Sequence, residues 1–156
     1  KGNCRIEKYR MELIKILIFR IRNRDFALVS KNVKEILDYS TLITTFYGGR
    51  GLKGIINLGG DPVSVLDTPF ILDMKEEGDD PVILFCREKG VEKGIGITVS
   101  EVKGMELVDS SMMVSPQERD EIYISGFIRE DEGRKEITLL DLKKFLDYAD
   151  TKIVRM

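Results

Sequence analysis

The sequence predicts a mostly β fold built from small closed barrels, and three observations lead there. Short apolar segments rich in β-branched residues recur along the chain, glycine- and proline-containing turns separate them, and sustained helical periodicity is confined to one stretch near the C-terminus. About nine or ten such strands in one open sheet would leave exposed edges, which barrel closure removes.

The first segments are strands. Leu13 to Phe19 is an apolar run broken by Lys15, too short to span a membrane, and reads as a buried strand. Alternation follows in Phe19-Arg20-Ile21-Arg22, then a polar reversal at Asn23-Arg24-Asp25, then Phe26-Ala27-Leu28-Val29, which together make a hairpin. In Ser30 to Leu37 the spacing changes: Val33, Ile36 and Leu37 stand i, i+3, i+4 behind Asn32-x-x-Glu35, a pattern that predicts one or two helical turns. Thr41 to Tyr47, β-branched and aromatic, predicts a strand.

The glycine-rich stretch Gly48 to Asp67 organises the middle of the chain. Ile55-Ile56-Asn57-Leu58 and Val63-Ser64-Val65-Leu66 flank Gly59-Gly60-Asp61-Pro62, which reads as two strands and a tight reversal. Gly49, Gly51 and Gly54 also satisfy G-x-G-x-x-G, but that motif needs a helix opening directly after it to face a pyrophosphate. The β-branched run and the glycines and proline behind it forbid such a helix. Glycines that let two backbones approach closely are the better reading.

Thr68 to Asp80 reads as a long connection with an acidic end, and Pro81 to Cys86, Gly94 to Val99 and Val102 to Val108 as three further strands. Glu121 to Phe127 and Lys135 to Leu140 make a last pair around the polar turn Glu130 to Arg134. Asp141 to Asp150 places Leu142, Phe145, Leu146 and Ala149 on one face, an amphipathic helix with Asp141 at its positive end.

Composition bounds the function. The chain has 156 residues with 42% hydrophobic content, enough for one domain or two very small ones sharing a core. Lys and Arg total 25 against 27 Asp and Glu, without a long block of either sign, so no electrostatic basis exists for binding nucleic acid or an acidic membrane surface, and no direct membrane insertion is expected. Histidine is absent, which excludes Ser-His-Asp and Cys-His arrangements and a phospho-accepting histidine. Cys4 and Cys86 form no C-x-x-C and read as reduced thiols of a cytoplasmic protein without a metal site. The acidic pairs Glu76-Glu77 and Asp79-Asp80 lie in a Gly- and Pro-bounded segment that reads as a solvated loop. The expectation is a binding module with no catalytic residues and no cofactor.

The order of the segments resembles the CheW-like domain family. The resemblance rests on Phe26-Ala27-Leu28, Val33-x-Glu35-Ile36-Leu37, Leu52-x-Gly54-Ile55-Ile56-Asn57-Leu58-x-Gly60 and Val63-x-Val65-Leu66-Asp67. It continues in Gly96-Ile97-x-Val99-x-x-Val102, Ile124-x-Gly126 and Ile137-x-Leu139-Leu140-Asp141, and so runs from about Leu13 to Tyr148. It implies two intertwined five-stranded SH3-like β-barrels with short helices and a core between them. Residues 13–150 would form the domain, 1–12 an N-terminal arm and 151–156 a tail.

In function, the resemblance implies a non-catalytic chemotaxis adaptor that couples chemoreceptors to the histidine kinase CheA. Its partners would be the kinase regulatory domain and the helical tip of the receptor, which docks in an apolar groove between barrels. By matching position, Val33, Glu35, Ile36, Gly54, Asn57 and Gly59 would serve the partner surface of one barrel, and Ile97, Val99 and Val102 the groove. Two positions depart from the family pattern: Gly59 stands where an arginine is usual and Ser100 where an aspartate is usual, so both changes remove a charge. The departures keep a divergent module of another signalling pathway as an alternative, with a small-ligand-binding barrel behind it.

Overall fold

The computed structural model describes residues 12–44, 50–130 and 135–153. The strands Leu13–Ile21 (β1) and Arg24–Val29 (β2) form the expected hairpin. β1 reads as a near-continuous apolar run because it is buried on both faces, Leu17 and Phe19 in one core and Ile16 and Ile18 in another. The other strands are Val33–Asp38 (β3), Leu52–Leu58 (β4), Asp61–Leu66 (β5), Val82–Cys86 (β6), Ile95–Val99 (β7), Glu101–Asp109 (β8), Met113–Val114 (β9), Ile124–Glu130 (β10) and Lys135–Leu140 (β11). The helices are Thr68–Ile71 (α1) and Leu142–Lys152 (α2).

These strands make two sheets, a six-stranded one ordered β8-β1-β2-β11-β10-β9 and a five-stranded one ordered β3-β6-β7-β5-β4. Both close on themselves. In the five-stranded sheet, the chain leaves β3 through a 3-10 turn at Tyr39–Thr41, and Ile43 then exchanges two backbone hydrogen bonds with Ile55 of β4, at 2.7 and 2.8 Å. In the six-stranded sheet, β8 leaves through a 3-10 turn at Ser110–Met112 into β9, which pairs with β10. The sixth strand is therefore the two-residue closing segment β9, too short to announce itself in the sequence.

The two sheets follow one plan. β3, its turn, β4 and β5 correspond in pairing to β8, its turn, β10 and β11, while the hairpins β6–β7 and β1–β2 take equivalent places. The correspondence reaches single residues: Asp38 and Asp109 each accept from the backbone N–H two residues on, and Asp67 and Asp141 N-cap the helices that follow β5 and β11. One sheet is assembled from β3 to β7, the other from both ends of the chain, so the first is nested within the second.

Three cores result. Ile16, Ile18, Ala27, Val108, Ile128, Ile137 and Leu139 fill the six-stranded sheet, and Ile56, Val63, Val65 and Ile83 fill the five-stranded one. A larger core between the sheets joins Leu17, Phe19 and Phe26 of one to Leu66, Leu84 and Ile97 of the other, and α2 adds Phe145 to it. This is the expected pair of barrels around a shared core. A single residue, Ser100, separates β7 from β8 where the chain crosses from one sheet to the other.

Several expectations need correction. The helical turns expected at Ser30 to Leu37 are a 3-10 turn at Ser30–Asn32 followed by strand β3. A register shift between Val33 and Glu35 sets Val33 opposite Cys86 and Ile36 opposite Leu84, so two residues three apart share one face of a strand. The bulge imitates helical spacing. The connection Thr68 to Asp80 holds α1, started by the Asp67 cap and Pro69. The acidic segment is exposed at Glu76, Glu77 and Asp79, but the Asp80 side chain is only 5% exposed and is paired. α2 continues to Lys152, and Ile153 packs on the central core. Residues 1–11 of the N-terminal arm, Cys4 among them, the stretch Thr45 to Gly49 within the predicted strand and glycine-rich start, most of the turn at Glu130 to Arg134, and residues 154–156 lie outside the described residues.

Candidate partner-binding surfaces

The residues singled out in the sequence fall into exposed and buried sets. On β3, Glu35 is exposed, Ile36 is 49% exposed and Val33 is half-buried against the central core. At the β4–β5 reversal, Gly59 and Gly60 both take positive φ, +58° and +92°, which defines a two-residue hairpin turn of the primed kind. The exposed Asn57 shapes that turn, its Oδ1 accepting from the Gly60 N–H at 3.0 Å.

Gly54, Ile97 and Val99 are buried. A Cβ built on Gly54 would lie 2.2 Å from the Ile43 carbonyl oxygen, so this glycine permits the approach that closes the five-stranded barrel. Ile97 and Val99 have no exposed surface and belong to the central core, so their side chains are not available to a partner. Fully enclosed aliphatics on a strand fix where the strand runs. Val102 is half-buried against the same core and keeps some exposed surface.

The structure adds a second apolar surface. Met105 and Leu107 of β8 are 53% and 63% exposed, and Leu13 of β1 on the same sheet is 57% exposed. The signal was in the sequence as an internal repeat: Glu106-Leu107-Val108-Asp109 matches Glu35-Ile36-Leu37-Asp38, and the two segments hold equivalent places in the two barrels.

Electrostatics concentrate where the chain crosses between the sheets. Arg22, in the β1–β2 turn, holds Asp80 through Nη2 at 2.9 Å and Nε at 3.3 Å. Ser100 Oγ donates to Asp80 Oδ1 at 3.2 Å and accepts from the Arg22 backbone N–H at 2.7 Å. The hydrogen bond to Asp80 raises the Arg22 pKa above its ordinary value, against the opposing effect of burial. Ser100, where the family pattern has an aspartate, thus bridges Arg22 and Asp80 in this chain. A depression of about 350 Å³ beside this cluster, lined by Arg22, Tyr39, Lys53 and Asp80, opens to solvent. Among the described residues no group of three or more His, Cys, Asp or Glu side chains could hold a metal ion, and no helix is long and apolar enough to cross a membrane.

Residues 15–150 match the model of the CheW-like domain. The chain belongs to the CheW-like domain family. The family is one of non-catalytic scaffold domains. Among solved structures the chain resembles the scaffolding protein TtCheW from Thermoanaerobacter tengcongensis, with a TM-score of 0.73 and 21% identity over 83% of this chain and 89% of that one. At that identity the likeness establishes the shared CheW-like fold. No curated protein sequence matches the chain. Within the CheW-like frame, Gly59 marks the outermost tip of a hairpin, with no atom within 4 Å of a Cβ built there.

Proposed function

We propose that this CheW-like chain is a cytoplasmic, non-catalytic adaptor of a chemotaxis system that couples chemoreceptors to the histidine kinase CheA by protein–protein contact. The observation that carries the reading is the family match over residues 15–150, together with exposed Glu35 and Ile36 on an edge strand of one barrel. Glu35 and Ile36 point to opposite faces of β3, so in this reading the partner barrel lies against the strand edge, burying the aliphatic from one side and pairing the carboxylate from the other. In this reading β3 and the Gly59 turn meet the kinase regulatory domain, and the receptor's helical tip docks along the exposed apolar side chains of β1 and β8, where Val102 also keeps surface. Residues 13–150 act as one domain, and no nucleic acid, cofactor or membrane insertion is involved.

Loss of the usual arginine at Gly59 favours a second reading, a divergent CheW-like module serving a different signalling pathway. Titration of the chain with a CheA regulatory domain and, separately, with a receptor-tip helical hairpin tests both. Saturable binding of the two supports the coupling role, and binding of neither overturns it in favour of the divergent module.

A further inference from the structure

Between α1 and β6 the chain passes through residues 73–81 without regular structure, with Lys75, Glu76, Glu77 and Asp79 exposed. A segment of this kind is held only as firmly as its individual contacts with the rest of the fold. For residues 75–80 every hydrogen bond to the described protein goes to Arg22 or Ser100. The Asp80 carboxylate takes the Arg22 fork and the Ser100 hydroxyl, and Arg22 Nη1 donates to the Glu76 carbonyl. The Arg22 stem also lies against Gly78, where an added Cβ would stand 3.1 Å from Arg22 Cδ.

Two features separate this fastening from an ordinary surface ion pair. The Arg22 and Asp80 side chains are 16% and 5% exposed, so solvent and salt screen them little. Arg22 also sits at φ +58°, a left-handed turn position better suited to glycine or asparagine, so the residue type there is explained by what its side chain holds. The neighbouring fastening is weaker in kind: Lys152 Nζ reaches Asp73 at 2.7 Å, with side chains 28% and 60% exposed.

We propose that Arg22 is the catch of an acidic strap: the order of residues 75–80, and the fixed presentation of Glu76, Glu77 and Asp79 beside the Ser100 crossing, depend on its grip on Asp80 and the Glu76 carbonyl. Releasing the catch lets the strap open while both barrels stay folded. The strap is a property of the isolated chain and does not rest on the adaptor reading.

Backbone amide NMR relaxation on the full chain tests the catch, because it reads the motion of amides that donate no hydrogen bond of their own. Arg22→Gly removes the side chain while relieving the left-handed backbone. Order parameters across residues 75–79 should fall from the rigid range, about 0.85, to about 0.6 or below, and those of β1 and β7 should keep the parental values. Arg22→Lys, which keeps the charge and loses the fork, should fall between the two. Lys152→Ala should lower order parameters near Asp73 alone. Parental order parameters of the strap in Arg22→Gly overturn the proposal, and so does a fall in strap and barrel strands together, which would make the cluster a contributor to global stability only. Should Arg22→Gly not fold, Ser100→Ala decides: it must give a smaller, strap-confined fall, and its absence counts against the catch.

Discussion

Gly54 lies directly beneath the carbonyl oxygen of Ile43, with room for a hydrogen and none for a methyl: a Cβ there would stand 2.2 Å from that oxygen. Ile43 and the next residue of β4, Ile55, are the two that bond to close the barrel. A side chain at Gly54 therefore acts on folding before it acts on any partner. Gly54→Ala should cost about 1–3 kcal/mol, the range for forcing atoms into a packed site, and Gly54→Asp more, because its charge would face a carbonyl. Urea denaturation should show a lower midpoint, and a parental midpoint for Gly54→Asp would remove the closure role. Gly126, the equivalent position in the other barrel, leaves 3.1 Å to the Val114 oxygen, so Gly126→Ala should cost less.

The hairpin tip behaves differently. Gly59 has space for any side chain but holds φ at +58°. Restoring the family arginine by Gly59→Arg is therefore not free: the left-handed conformation costs an L-residue roughly 1–2 kcal/mol, offset in part by about 0.4–1 kcal/mol of lost unfolded-state entropy. Gly59→Asn should be milder, since asparagine tolerates this region. If the new arginine pairs with Glu35, Gly59→Arg should tighten binding to a CheA regulatory domain and Gly59→Arg with Glu35→Ala should not. Equal affinities at low salt would show the two positions to be uncoupled.

Ile36 should separate binding from folding. Its side chain is 49% exposed on an edge strand, so Ile36→Asp should change stability by no more than about 0.5 kcal/mol, as surface substitutions do. Binding to the kinase domain should fall at least about tenfold, the effect of losing an interface anchor. Unchanged affinity would take β3 out of the contact.

Alkaline pH should destabilise the fold in two steps. Burial pushes the Cys86 thiol up from 9.0 to about 12, and burial, with a contribution from Glu121, pushes the Tyr123 hydroxyl up from 10.0 to about 12. Both are acids that the folded state keeps protonated after the unfolded chain has lost the proton. The unfolded state therefore binds fewer protons above pH 9, and stability falls as pH rises, by about 1.4 kcal/mol per pH unit for the fully buried thiol. Urea midpoints measured upward from neutrality should stay level to near pH 9 and then decline, and Cys86→Ala should delay the decline until tyrosine ionises. A Cys86→Ala profile parallel to the parent's would contradict this assignment.

Elements whose signal is local could be read from the sequence. The alternation at Phe19 to Arg22 and the Leu142, Phe145, Ala149 stripe behind Asp141 each carry their own period, and each became the expected element. Where a distant partner decides, the sequence misled. β3 looks helical because a bulge opposite β6 spaces Val33 and Ile36 three apart on one face. Asp80 looks solvated because the arginine that buries it is 58 positions away. Ile97 and Val99 match a family pattern that marks position, and only the packing of two sheets shows their side chains enclosed. Gly59 stands out in the sequence by the arginine it lacks, whereas its positive φ is a property of the folded turn.

The most direct test of the adaptor reading is an amide-resolved NMR titration of the isotopically labelled chain with an isolated CheA regulatory domain. The account predicts saturable shifts confined to Glu35, Ile36 and the Asn57 to Gly60 turn, with Ile97 and Val99 unmoved and the Ile36→Asp variant silent. No saturable shift at any residue, or shifts that leave β3 and the turn untouched while another surface responds, would contradict it.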